Sequence, residues 1–257
     1  MTTEQHMLFS LRTALLALVT LTTIIGGCAG EKLREPRPLT WPHAAPGEST
    51  LWAVAPLRNE SGVGVFDPLL VTDALASQVQ QVRGINVLPT NRVLGAMRTL
   101  NMQAVDSPES ALRLAEALEV DAILVGSITA WEPYDPLQFG MSLAIFRPSD
   151  DGRSSSRIDP RALQSAASDY GLFMSRDGSI APSSFVAEHL HGANHEIQMA
   201  ARAFAEGRHD PATALGWRRY LASMTLFTEF ACYHLTERLL DAERIRHART
   251  VAAETSR

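Results

Sequence analysis

The spacing of apolar and polar positions changes several times along the chain, and each change predicts an element. Residues 51–57 (Leu-Trp-Ala-Val-Ala-Pro-Leu) are short and nearly all apolar, the mark of a buried strand. Asp67-Pro68 then reads as the N-cap and first position of a helix over residues 69–82. Along it Val71, Ala74, Leu75, Val79 and Val82 recur at helical spacing, with Gly84 placed to end the helix. A second strand follows at residues 85–88. Thr90 can cap a helix carrying Val93, Leu94, Met97 and Leu100, and Ser107-Pro108 opens another with Ala111, Leu114, Ala115 and Leu118 on one face. Residues 122–129 form the next strand. Beyond the turn at Glu132-Pro133-Tyr134-Asp135-Pro136, Leu137, Phe139, Met141, Leu143 and Ile145 alternate with Gln138, Gly140, Ser142 and Ala144. That is a half-buried strand, paired as a hairpin with the one before it.

Residues 147–184 lose all period and are rich in Ser, Asp, Arg and Gly, so they read as a long, partly disordered surface excursion. The last third reads as helical. Asn194 can cap a helix bearing Ile197, Ala200, Ala201 and Phe204 that stops at Gly207, and a short run surrounds Trp217 and Leu221. A long helix from about Thr225 to beyond Leu240 then turns Phe227, Phe230, Ala231, Leu235 and Leu239 inward, and the charged, Ala-rich residues 241–257 are expected to fray. The fold class is α/β (α+β): a small mixed sheet packed with helices, plus carboxy-terminal helices.

Upstream of the sheet, residues 13–25 form an apolar run after Arg12, too short to span a bilayer but right for a signal-peptide core. Ile25-Gly26-Gly27-Cys28 follows, similar to the bacterial lipobox in which the cysteine is lipidated and becomes the mature amino terminus. Acyl chains on Cys28 would anchor the protein to the membrane. Ala29, rather than Asp, after that cysteine implies sorting to the outer membrane by likeness to proteobacterial lipoproteins. Residues 29–49, with Pro36, Pro38, Pro42 and Pro46, read as an extended tether. The expected organisation is a signal peptide (1–27), lipidated cysteine and tether (28–50), α/β core (51–146), long loop (147–184) and helical extension (185–257).

Composition narrows the function more than it defines it. The 257 residues, 46% hydrophobic, suffice for one main domain. A net charge of −5 with scattered Arg gives no electrostatic grip on nucleic acid. Cys28 belongs to the processing signal, and Cys232, inside an apolar helical run, reads as a small buried hydrophobe.

With these elements in place, the core resembles a group of periplasmic modules: the TolB amino-terminal domain, the penicillin-binding-protein activator LpoB and the globular part of the curli secretion lipoprotein CsgG. Ala53-Val54-Ala55-Pro56-Leu57-Arg58-Asn59-Glu60-Ser61-Gly62 carries the likeness. So do Val87-Leu88-Pro89 and Val120-Asp121-Ala122-Ile123-Leu124-Val125-Gly126-Ser127-Ile128-Thr129. The resemblance spans roughly residues 51–145 and implies a non-enzymatic fold that binds protein partners or its own copies in the periplasm. A CsgG-like channel would need two long amphipathic strands per subunit. Residues 137–145 offer one, without an evident mate.

Candidate chemistry is sparse. His189, His191 and His195 with Glu196 are metal-ligand types, yet they lead into an expected helix without a second half, so a polar helix entry is preferred to a metal site. Ser127 lacks the second glycine of a nucleophile elbow, and Gly62-Val63-Gly64 lacks the third glycine of a dinucleotide loop. Asn59-Glu60-Ser61 matches a glycosylation sequon by coincidence. Trp131 and Tyr134, and Trp217 and Arg219, are of the types enriched at protein interfaces, though packing of helices on the sheet explains them as well. The sequence therefore points to a membrane-anchored periplasmic docking or scaffolding lipoprotein with no cofactor and no catalytic residue. Its partner would be an envelope protein, and the alternative is an oligomeric channel subunit.

Overall fold

The computed structural model describes residues 35–44, 47–148, 181–209 and 213–255. The expected signal peptide, Cys28 and most of the 147–184 loop lie outside them. The strands are β1 (Thr50–Val54), β2 (Arg58–Asn59), β3 (Ile85–Val87), β4 (Ala122–Glu132), β5 (Gln138–Phe146) and β6 (Ser184–His191). They form one mixed sheet in the order β3-β1-β4-β5-β6, with β2 pairing beside β4. β1 runs parallel to β3 and β4, whereas β5 is antiparallel to both β4 and β6. Parallel neighbours need crossovers. α1 (Pro68–Gln80) leads into β3, and α2 (Thr90–Thr99) with α3 (Pro108–Leu118) leads into β4.

Alternation along each strand sends side chains to two cores. Leu124 and Ile128 of β4 join α1 and the carboxy-terminal helices on one face, while Ile123 and Val125 pack with α2 and α3 on the other. The first face is completed by α4 (His195–Ala205), a 3₁₀ turn (Gly216–Arg218), α5 (Arg219–Ala222) and α6 (Met224–Thr255). Phe227, Phe230, Ala231, Leu235 and Leu239 of α6 are all buried there, as the helical period requires. The mixed α/β class is thus observed.

Local signals explain the helix starts. The Asp67 carboxylate accepts from Leu69 N at 2.9 Å and Pro68 follows it. Ser107 and Ser110 form a reciprocal capping box before α3, and Asn194 caps α4. Two details differ from expectation. Thr90 is the first residue of α2 rather than its cap, and its hydroxyl donates to Asp73 of α1 at 2.6 Å. Gly84 lies beyond the end of α1, in the turn to β3, at φ +87°, where an added Cβ would come within 2.6 Å of the Ala44 Cβ.

Three expectations are corrected. The tether reading fails at its end: Leu39 and Trp41 are buried, Thr40 bridges Arg83, and Trp41 meets Trp52 edge-on at 4.8 Å between ring centres. Two apolar residues among prolines make no period, so only the surface they cover reveals their role. Residues 184–191 form strand β6 instead of opening a helical extension, which places His189 and His191 on a strand. Its inward face alternates polar and apolar, as Ser184, Val186, Glu188 and Leu190, because α6 partners the polar members: the Ser184 hydroxyl donates to Glu243, and Glu188 accepts from His234 and Arg238. Finally, α6 does not fray at Leu240 but continues to Thr255, with Glu243 wholly buried.

Candidate docking surface

The β2–α1 loop and the β4–β5 hairpin sit at one end of the sheet because β2 is paired to β4 through Asn59 and Ile128. The Asn59 side chain stiffens the loop: its oxygen accepts from Ser61 N at 3.1 Å and Ser61 Oγ at 2.7 Å, and its amide donates to Val63 O at 2.7 Å. Gly62 takes φ +74°, which suits glycine. Phe66 then stacks on Trp131, with ring centres 4.1 Å apart and planes at 14°, and Trp131 meets Phe139 edge-on at 5.8 Å. This aromatic column ties loop to hairpin to core.

What the column leaves outside is apolar. Val65 is 83% exposed, Leu70 69% and Tyr134 77%, and Leu69 lines a shallow cleft against Pro89, Thr90 and Leu94. Asp67 and Asp135 stand exposed in these two loops, and Asp73 stands exposed on α1. Of the sequence candidates, Tyr134 is therefore on the surface and Trp131 is half-buried between Phe66 and Phe139. Trp217 is half-buried against the main core with the Arg218 guanidinium 5.0 Å over its ring, and Arg219 lies over Tyr220 at 6.0 Å. No ring contact or hydrogen bond among the described residues joins the two pairs, so the four do not make one site.

The remaining candidates fall into structural places. Ser127 and Ser142 are both buried, with hydroxyls 2.9 Å apart across the β4–β5 pairing, so neither is open to a substrate. His189 lies 3.1 Å from the Gln138 side-chain oxygen, and the His191 ring nitrogen accepts from Ala193 N at 3.2 Å. Among the described residues no three His, Cys, Asp or Glu side chains are placed to hold a metal ion. Cys232 is free and buried, and burial pushes its thiol pKa up.

Two features were missed by sequence reasoning. Val65-Phe66, an apolar pair inside a polar loop, was the available sign of the exposed end. The other is an ion cluster at the opposite end of the sheet. Glu243 of α6 accepts from Arg246 Nη2 and Nε (2.6 and 3.1 Å), from Ser184 Oγ and from His43 Nε2 (2.8 Å), with Arg147 3.6 Å away. Burial alone would raise this carboxyl, but the Arg246 and Ser184 hydrogen bonds and the Arg246 and Arg147 charges hold it at about 2. The contributors come from four places in the sequence, so no local motif announces them.

No protein-family model matches the chain, and no curated protein does. Similar solved structures include lipoprotein GNA1162 from Neisseria meningitidis, at 15% identity over 55% of this chain and 80% of that one, with a TM-score of 0.37. The LpoB carboxy-terminal domain from Salmonella enterica is similar at 12% identity over 41% and 78%, with a TM-score of 0.33. The hypothetical protein CT253 from Chlamydia trachomatis is similar at 8% identity over 76% and 98%, with a TM-score of 0.39. At these TM-scores the likeness is partial, and the functional reading rests on this chain's own residues.

Proposed function

We propose that this chain is a cell-envelope lipoprotein, anchored through Cys28 in the outer membrane, whose α/β domain docks an envelope protein without catalysing a reaction. The Phe66–Trp131 stack carries the reading. It consumes two aromatic residues to hold an apolar surface rigidly in solvent, and pre-ordered apolar surface favours association because little conformational entropy is lost on binding. The exposed Asp67, Asp73 and Asp135 oppose contact with anionic lipid headgroups and favour a protein with basic groups around an apolar patch. The lipobox at residues 25–28 and the short apolar run before it support the anchor.

The channel alternative gains no support from β5. Its apolar face, Phe139, Met141, Leu143 and Ile145, is buried in the core that α6 completes, so in this fold it is not available to lipid.

The test has two arms. Cys28→Ala should move the protein from the membrane to the soluble fraction, and unchanged fractionation sinks the anchor. A photocrosslinker in place of Tyr134 should yield one specific envelope-protein adduct that Leu70→Glu abolishes. Adducts of the same pattern from a crosslinker on the exposed Arg113 of α3 would sink docking at this end.

A further inference from the structure

Little chain separates Cys28 from the folded domain. Residues 35–39 already line a cleft with Gln78 and Gln81 of α1, Arg208 and Tyr233, and Leu39 and Trp41 are buried. The seven residues from Cys28 to Glu35 reach at most about 25 Å when fully extended. A domain of this size is roughly 40 Å across, so a chain fixed at Cys28 keeps the face around Glu35 turned towards the bilayer.

Aromatic and arginine side chains surround that entry. The Arg208 guanidinium lies 4.3 Å over Phe204 and 5.0 Å over Tyr233, and the Tyr220 hydroxyl reaches Arg208 O at 3.5 Å. Next to it Arg219 lies 6.0 Å over Tyr220, and Arg218 lies 5.0 Å over the half-buried Trp217. Leu215, just before the 3₁₀ turn, is 55% exposed. No carboxylate among the described residues pairs with Arg218 or Arg219, whereas Arg58, Arg238 and Arg244 each have one. A ring beneath a guanidinium fixes its plane and leaves its edge donors to reach a phosphate. Trp and Arg settle at the headgroup level of a bilayer, because each joins an apolar body to a polar tip.

Given the Cys28 anchor proposed above, we infer that this corner rests on anionic phospholipid headgroups of the membrane that holds the anchor. Arg218 and Arg219 meet lipid phosphates, and Leu215 and the open edge of Trp217 lie among the headgroups. Glu35, Glu206 and Glu229 keep the net charge of the corner small, so individual guanidinium groups make the contact. The docking end is separate, since α1 runs from it to the entry over roughly 20 Å.

The membrane-extracted mature protein, reconstituted into vesicles of phosphatidylethanolamine and phosphatidylglycerol, tests this. A fluorophore on Leu215→Cys should be quenched by headgroup-spin-labelled lipid, and one on Arg113→Cys of α3 should not. Arg218→Gln with Arg219→Gln should weaken the contact about fivefold per arginine removed. Equal quenching at the two positions, or none at 215, overturns the contact. So does a signal unchanged when phosphatidylcholine replaces phosphatidylglycerol, or when both arginines are removed. The two labels sit in a chain that keeps both arginines, so their comparison decides even where the double variant fails to fold. Mass spectrometry of the mature amino terminus separates the two proposals. An unacylated Cys28 sinks the anchor and the contact together, whereas an acylated chain with no difference between the labels sinks the contact alone.

Discussion

His43 Nε2 lies 2.8 Å from Glu243 Oε1, although 200 positions separate them. The contact joins the chain entering the domain to its last helix, and Arg147 and Ser184, which bracket the long excursion between β5 and β6, meet the same carboxylate. One buried charge thus closes the end of the sheet where these segments enter and leave. Removing it deletes the buried carboxylate that His43, Arg147, Ser184 and Arg246 share. Glu243→Ala should lower unfolding free energy by about 3–5 kcal/mol, the loss seen when one partner of a buried pair is deleted. Urea denaturation measures it, and a loss under ~1 kcal/mol would mean the cluster is solvated.

The same cluster sets a pH dependence. Glu243 titrates at about 2 when folded against an ordinary 4.5, so its contribution is present above pH 4.5 and drains away as pH falls towards 2. Burial also lowers His43 below its ordinary 6.5, outweighing its hydrogen bond to Glu243. The unfolded chain then takes up that proton first, and acidification below pH 6.5 already costs stability. Unfolding midpoints between pH 8 and 3 should fall in two stages. His43→Asn should remove the upper stage and leave the lower.

The segment before β1 belongs to the fold. Trp41 is buried against Trp52, and its backbone N–H donates to Arg83 O at 2.9 Å. Trp41→Ala should cost about 3–5 kcal/mol. Removing residues 1–44 should lower the melting temperature by about 6–12 °C, roughly what ~3 kcal/mol means for a domain of this size.

At the other end, stability and docking should separate. Tyr134→Ala and Leu70→Glu alter exposed side chains and should change stability by no more than about 0.5 kcal/mol while abolishing the envelope-protein adduct. Trp131→Ala removes the middle of the Phe66–Trp131–Phe139 column and should cost about 2 kcal/mol as well as the adduct. A Trp131 variant of native stability would show that the column does not order the loop.

Period and capping chemistry made much of the fold legible. Asp67-Pro68, Ser107-Pro108 and Asn194 started helices where expected, and the alternation of residues 137–145 predicted a strand at β5, but not a half-buried one: Gly140, Ser142 and Ala144 are buried on its second face, against α2 and α3. β6 escaped notice because Ser184 and Glu188 face inward, and a polar residue at an inward position reads as solvent-facing until its partner is known. The exposed apolar end was half legible. Trp131 and Tyr134 were singled out, but which one packs and which is exposed depends on where Phe66 lies.

By itself, then, the sequence determined the helices, the hairpin and the mixed α/β class, because these follow from neighbours within a few residues. Only the tertiary structure decided that Trp41 belongs to the core, that Glu243 is an ionic hub, and that Gln78 and Arg208 share a cleft. Each of those depends on which distant side chain supplies or withholds a partner, and burial makes that choice consequential, since an unpaired polar group is costly only where water cannot reach it.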